Sequence, residues 1–331
     1  MLIAVDAAGG EYAPYEIVKG AIKAAQEHEV DIALVGGRAV LHVLASRYAK
    51  KHKFTIIEAS QVIGPQESPI KALRSKPDSS IVVGINLVRD GTAAAFVSAG
   101  NSGAVAAAAL LNLGKIKGIP RPAIGCFINI NPPTPSLLID AGANADCRPE
   151  HLVWFAHLGT LYVSQILGIN SPRVGLLSNG EEATKGNNLI KESHKLLKKT
   201  NLNFIGNIEG QNILKEAAEV IVTDGFTGNI VLKTLEGMSD SWLYSLGQAG
   251  QIFAKAYRLP SRALRRDMGM ESWAKKLDYR EYGGACLLGV KGNVIIAHGR
   301  SQARAIKSAI VLAKRTAERS ISQIIKEESH E

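Results

Sequence analysis

Short, almost uninterrupted apolar runs recur along the chain, at 2–6 (LIAVD), 31–36 (DIALVG), 54–58 (FTIIE), 94–98 (AAFVS), 123–130 (AIGCFINI), 136–140 (SLLID), 173–178 (RVGLLS), 203–206, 219–223 (EVIVT) and 293–298 (NVIIAH). Most are continuously apolar and do not alternate with polar positions, as expected of strands covered on both faces of a parallel or mixed sheet. Between them, 15–27, 38–52, 79–90, 102–113, 149–167, 185–199 and 301–318 carry apolar residues at helical spacing. This alternation predicts a layered α/β/α fold with a mostly parallel sheet. No Pro/Ser-rich linker interrupts it, so residues 1–331 read as a single α/β domain.

The segments that follow the strands carry more information than the strands. Asp6-Ala7-Ala8-Gly9-Gly10 follows the first, and Ala99-Gly100-Asn101-Ser102-Gly103 follows 94–98. Asp140-Ala141-Gly142-Ala143-Asn144 follows 136–140, and a loop running from Asn179 through Glu182 and Lys185 to Asn187 follows 173–178. Asp224-Gly225-Phe226-Thr227-Gly228-Asn229 and Gly299-Arg300-Ser301 complete the set. One glycine-rich turn implies only tightness. Six of them at the carboxyl ends of parallel strands predict a ligand site along one edge of the sheet.

Composition narrows the class. With 46% hydrophobic residues in 331, the chain can bury a large core, and no low-complexity tract suggests disorder. No basic-then-apolar leader is visible at the N-terminus, and every apolar run is shorter than the ~18–20 residues of a spanning helix. Cys126, Cys147 and Cys286 are odd in number and widely spaced, against both a disulfide framework and a zinc site. The eight histidines show no paired metal-ligand spacing, and the cytoplasm is the expected compartment. The net charge of +9 favours anionic partners. Nucleic acid ranks last among these, because aromatic content is only 5% and no recognition motif is present. Fingerprints for dinucleotide binding, a P-loop, a zinc protease and a nucleophile-elbow serine are all missing.

Anion chemistry remains. Asn101-Ser102-Gly103 opens a predicted helix, where free N–H groups and the macrodipole favour phosphate. Ser102 reads equally as an N-cap or as a ligand. Lys185 falls in the first turn of the predicted helix 185–199, where a cation opposes the dipole, a placement that a ligand would explain. Asp6, Asp140 and Asp224 end strands, where turn capping is the simpler role. His298 also ends a strand and reads equally as a rim histidine or a working one.

The blocks VDAAGGEYAP, KALRSKPDSS, AFVSAGNSGA, DAGANADCRPEHL, GEEATKGN, FIGNIEG, DGFTGNIVLKTLEG and GGACLLGVKGNVIIAHGRS together resemble the bacterial acyl-carrier-protein:phosphate acyltransferase family (PlsX type). They run in order over almost the whole chain, departing from the family pattern at Ala8 and Glu11. The resemblance implies a Rossmann-like fold akin to phosphate acetyltransferases and isopropylmalate dehydrogenases. It also implies a homodimer at the inner face of the cell membrane, serving phospholipid synthesis. The implied reaction has inorganic phosphate attack the thioester of a long-chain acyl-carrier protein, giving acyl phosphate and free carrier protein, and calls for no metal or organic cofactor. Lys185 and Asn229 would then be phosphate or carbonyl-polarising donors, Asn101 and Ser102 phosphate ligands, and His298 the donor of a proton to the leaving thiolate. Asp6, Gly9, Gly10, Ser98, Gly100, Gly103, Asn144, Glu182 and Asp224 would line the same site. Two rivals share the fold: an acetyltransferase using a coenzyme A thioester, and a dinucleotide-dependent dehydrogenase.

The basic charge is partly concentrated at 258–280, RLPSRALRRDMGMESWAKKLDYR, with seven Arg/Lys against three acids. With Leu264, Met268 and Trp273 on an apolar face, this stretch reads as an interfacial helix on anionic lipid. It would follow a helix at 230–257 in a protruding hairpin that spans about 230–280. An ordinary helical hairpin in a dimer interface explains the same residues.

Overall fold

In the computed structural model the described residues are 1–48, 54–128, 135–215, 217–256 and 283–328. The segment 258–280, with Leu264, Met268 and Trp273, lies outside them, as does the far half of the expected hairpin. Eleven strands form one sheet: β1 (Leu2–Asp6), β2 (Asp31–Gly36), β3 (Thr55–Glu58), β4 (Ala95–Ser98), β5 (Ala123–Ile128), β6 (Ser136–Ile139), β7 (Val174–Ser178), β8 (Phe204–Glu209), β9 (Val220–Val222), β10 (Ala285–Leu288) and β11 (Asn293–Ile296). The helices are α1 (Tyr15–His28), α2 (Arg38–Tyr48), α3 (Pro69–Ser75), α4 (Ser80–Arg89), α5 (Ser102–Ala108), α6 (Pro149–Leu167), α7 (Asn188–Leu197), α8 (Gly225–Ala256), α9 (Ala303–Glu318) and α10 (Ile321–Glu328).

The spatial order is β3-β2-β1-β4-β11-β10-β5-β6-β9-β7-β8. Side chains alternate across it into two cores, which explains the continuous apolarity of the strands. Ile3 and Val5 belong to the face covered by α1, α6 and α9, whereas Ala4 and Phe96 belong to the face covered by α4, α5 and the start of α8. The α/β/α layering expected from the alternation is therefore what the chain adopts.

The sheet is mostly parallel, as expected, but its strands do not all run one way. All neighbours from β3 to β11 are parallel, and so are all neighbours from β6 to β8. Between these blocks lie three successive antiparallel pairings, β11 with β10, β10 with β5, and β5 with β6. Three reversals leave the blocks pointing in opposite directions. The loops after β1, β4 and β11 therefore open on one edge, and those after β6, β9 and β7 on the other. The six loops do not share a single edge.

Helix boundaries differ where local chemistry intervenes. α7 starts at Asn188 and not at 185, because Gly186 sits at φ +96° and the Asn187 side chain accepts the Ile190 N–H as N-cap. Lys185 thus precedes the helix, and the dipole argument for it no longer applies. The predicted helix 102–113 divides into α5 and a π turn at Ala109–Leu113. β10, α3 and α10 are each eight residues or fewer and were not expected from periodicity.

Candidate active site

The first loop cluster is organised by a buried carboxylate. Asp6 Oδ1 accepts the Ala8 and Gly9 N–H groups at 3.1 and 2.9 Å, and Oδ2 accepts the Ser98 hydroxyl at 2.6 Å. Ser98 Oγ in turn accepts the Gly100 N–H at 3.0 Å. Burial pushes the Asp6 carboxyl above its ordinary range, against the lowering effect of these hydrogen bonds. Gly9 backs onto Gly100, Gly10 lies against Ala99 and Gly299, and the Glu11 N–H donates to the Gly299 carbonyl at 2.8 Å. The turns after β1, β4 and β11 therefore form one packed unit.

Asn101, not Ser102, is the N-cap of α5: its Oδ1 accepts the Ala104 N–H at 3.0 Å. Its Nδ2 reaches the carbonyls of Gly64, Pro65 and Glu67 at 3.1–3.3 Å, and Gly103 packs on Pro69. The Asn101 side chain ties the 64–69 segment to the β4 turn and has no hydrogen-bonding group left over. Ser102 is exposed beside it.

The second cluster repeats the device at β6. Asp140 Oδ1 accepts the N–H groups of Ile124, Gly142 and Ala143 at 2.9–3.1 Å. Its Oδ2 accepts the backbone and side-chain N–H groups of Asn144 at 2.7 and 2.8 Å. Burial raises this carboxyl too. Asn144 also donates to the Pro122 carbonyl and accepts the Gly225 N–H, so it joins the β6 loop to the start of α8. Asp224 caps α8 by accepting the Thr227 N–H and hydroxyl at 2.9 and 2.8 Å. On that first turn Asn229 lies over Gly142, 3.5–3.7 Å from where a β-carbon there would stand.

β7 pairs with β9 in parallel, so the loop bearing Glu182 and Lys185 emerges beside the one bearing Asn229, on the same edge. Asn207 Nδ2 and Lys185 N–H both donate to the Glu182 carbonyl, at 2.9 Å each, which fixes the loop. The Lys185 stem packs on Gly180 and its side chain is exposed. No hydrogen bond or ion pair links the Lys185 ammonium or the Asn229 amide to other described residues. Asp6, Ser98, Asn101, Asn144 and Asp224 are occupied in holding loops, whereas Lys185 and Asn229 present unused donors.

His298 stands at the other edge, after β11, and α8 reaches it. Lys233 Nζ lies 2.9 Å from His298 Nε2 and 2.8 Å from Glu236 Oε2, and His298 Nε2 is 3.2 Å from the same carboxylate oxygen. The Arg300 N–H donates to His298 Nδ1 at 3.1 Å, which leaves Nε2 as the proton-bearing nitrogen of the neutral ring. Burial would raise the Glu236 carboxyl, but its hydrogen bonds to His298 and Lys233 outweigh this and hold it low. Lys233 and Glu236 were not singled out from the sequence. The available signal is their spacing from Asn229, at i+4 and i+7 on one helix face.

Thiol chemistry has no support in these surroundings. Burial pushes the thiols of Cys126, Cys147 and Cys286 up to about 12, about 11 and about 12, far from a usable thiolate. Among the described residues no cluster of His, Cys, Asp and Glu is arranged to hold a metal ion, and no helix is long and apolar enough to cross a membrane.

Known structures share this architecture. A phosphotransacetylase from Streptococcus pyogenes superposes with a TM-score of 0.63 at 18% identity, over 96% of this chain and 94% of its own. A structure described as a putative 4-hydroxythreonine-4-phosphate dehydrogenase from Salmonella typhimurium superposes with a TM-score of 0.52 at 12% identity, over 95% of this chain and 98% of its own. At such identities the likeness concerns the fold alone. Sequence relatives are nearer. A phosphate acyltransferase of Dehalococcoides mccartyi is 56% identical over 99% of this chain and 94% of its own length. One from Pelotomaculum thermopropionicum is 45% identical over 98% and 94%. The model of the family described as "Fatty acid synthesis protein" matches residues 1–324, so the chain belongs to this phosphate acyltransferase family and is an acyltransferase.

Proposed function

We propose that the protein transfers a long-chain acyl group from acyl-carrier protein to inorganic phosphate, releasing acyl phosphate for phospholipid synthesis. The observation that carries this reading is the pair of unused donors, Lys185 and Asn229, on adjacent loops of one sheet edge. They occur in a chain 56% identical to a phosphate acyltransferase. Phosphate supplies the nucleophile, so no activated Ser or Cys is required. A phosphate oxygen adds to the thioester carbonyl, the tetrahedral oxyanion collapses, and the carbon–sulfur bond breaks with the electron pair leaving on sulfur. Lys185 and Asn229 stabilise the charge that develops, an effect worth a few kcal/mol per donor in a site of this kind. His298 is the candidate for returning a proton to the thiolate. The carrier protein, as an acidic partner, is steered by the basic charge of the chain. The enzyme works as a homodimer in the cytoplasm, touching the inner face of the membrane through 258–280.

Mass spectrometry of a mixture of the protein, phosphate and palmitoyl-acyl-carrier protein tests the reading. Acyl phosphate must appear there, and faster than acetyl phosphate appears in a parallel mixture with acetyl-coenzyme A. Lys185→Ala and Asn229→Ala should each lower kcat/KM by roughly 10²-fold with unchanged Tm. Near-normal kinetics in either variant assigns that residue a structural role.

A further inference from the structure

α8 is the element that joins the two edges of the sheet. It begins at the Asp140–Asn144 loop, and within its first three turns reaches the loop after β11. Asn229, Lys233 and Glu236 fall on one face, with a rise of about 6 Å from Asn229 to Lys233. The exposures of the trio are graded. Glu236 is 12% exposed, His298 25% and Lys233 52%, so the carboxylate lies beneath and the ammonium faces outward. Glu236, whose carboxyl is held low by its hydrogen bonds, lies 2.8 Å from the Lys233 ammonium, and His298 shares the same carboxylate oxygen. Burial pushes the Cys126 thiol on β5 up to about 12, and Glu236 and Lys233 also act on it.

We propose that Lys233 is an anion-binding residue for inorganic phosphate, held in place by Glu236, whose carboxylate oxygen also accepts from His298 Nε2, with the phosphate lying on α8 between the two loop clusters. The inference rests on the acyltransferase reading for its substrate. It adds a cation that the sequence did not single out, one helical turn from the unpartnered Asn229 amide. A lysine suits this role as a compact point charge on a flexible stem. An arriving phosphate accepts hydrogen bonds from the ammonium N–H groups that point away from Glu236, while the carboxylate fixes the direction of the stem. Glu236 is the positioning residue in this arrangement.

Two readouts on the full-length protein decide the matter: steady-state kinetics with phosphate and acyl donor varied separately, and the rise in Tm produced by inorganic phosphate alone. Lys233→Met should raise KM for phosphate at least about 10-fold, the loss expected for a charge-assisted hydrogen bond. KM for the acyl donor should stay within about 2-fold, and the phosphate-dependent rise in Tm should disappear. Lys233→Arg should restore most of both. Glu236→Gln, which leaves the stem in place without its anchoring charge, should raise KM for phosphate by a smaller factor. If Lys233→Met does not fold, Glu236→Gln and Lys233→Arg carry the same comparison. An unchanged phosphate KM and Tm rise in Lys233→Met, or a drop in Tm with the phosphate response intact, overturns the proposal and leaves the trio as a clamp. If the wild type forms no acyl phosphate, the functional reading fails. The phosphate-dependent Tm of wild type against Lys233→Met still decides the binding site.

Discussion

Replacing Gly228 by alanine is the sharpest test of how Asn229 is held. Gly228 lies in the first turn of α8 with its α-carbon against the main chain of Asp140. A β-carbon there would overlap the Asp140 carbonyl oxygen and stand 3.0 Å from its carbonyl carbon and 3.1 Å from Thr223 Cγ2. Neither Asp140 nor Thr223 can yield. The Asp140 carboxylate is anchored by five hydrogen bonds, and its N–H is paired with the Thr223 carbonyl at 3.1 Å. The start of α8 must therefore back away by on the order of 1 Å, enough by itself to cost about 10²-fold in rate if it carries a catalytic group. Overpacking of this kind costs ~1–3 kcal/mol, and Tm should fall by several degrees. Gly237→Ala is the matched control on the same helix, because a β-carbon at that position would meet nothing within 4 Å. That change should stabilise by ~0.5–1 kcal/mol and leave kcat/KM unaltered. Melting curves and initial rates of acyl phosphate formation for both variants complete the test. A Gly228→Ala enzyme with wild-type rate would refute the claim that contact with the Asp140 backbone positions Asn229.

Three further outcomes follow from the same structure. Asp140→Ala removes the acceptor of five hydrogen bonds and should destabilise by at least ~3 kcal/mol, read as a lower denaturant midpoint. Glu219 is raised by burial but lowered more by its hydrogen bonds to Arg173, so its folded pKa lies below the unfolded one. Its contribution is therefore complete above about pH 4.5 and is lost as pH falls through the depressed folded value. The Tm difference between wild type and Glu219→Gln, about 1 kcal/mol in stability, should hold from pH 7 to 5 and close below that window. A gap that widened on acidification would reverse the assigned sign. For 258–280, flotation with anionic vesicles should weaken with salt and fall on replacing Leu264 and Trp273 by Asp. Loss of the dimer with flotation intact would make the segment an interface helix.

The layering was legible because it depends on burial, which composition records directly: strands covered on both faces must be apolar throughout, whatever their neighbours. The direction of the strands depends instead on which strands pair, and pairing at the centre of this sheet involves β10, four residues between glycines that carry no periodic signal. Without the central antiparallel strands in view, a mostly parallel sheet leads to the expectation that the six loops share a single edge. The same distinction governs the site. After a strand, Asp, Asn and Ser are written alike whether they bind a ligand or hold a loop, and their role is set by how many N–H groups the folded turn brings within reach. Asp6 and Asp140 meet clusters of such donors and are consumed. Asn101 is consumed by a segment more than thirty residues away. Asn229 differs only because its backbone is already helical, so α8 satisfies the main chain and the amide projects from the surface. The same regularity sets Lys233 and Glu236 on that face. Helical spacing is therefore the sequence signal that could have assembled this part of the site, but the helix expected at 230–257 left Asn229 in the loop before it, whereas α8 begins at Gly225.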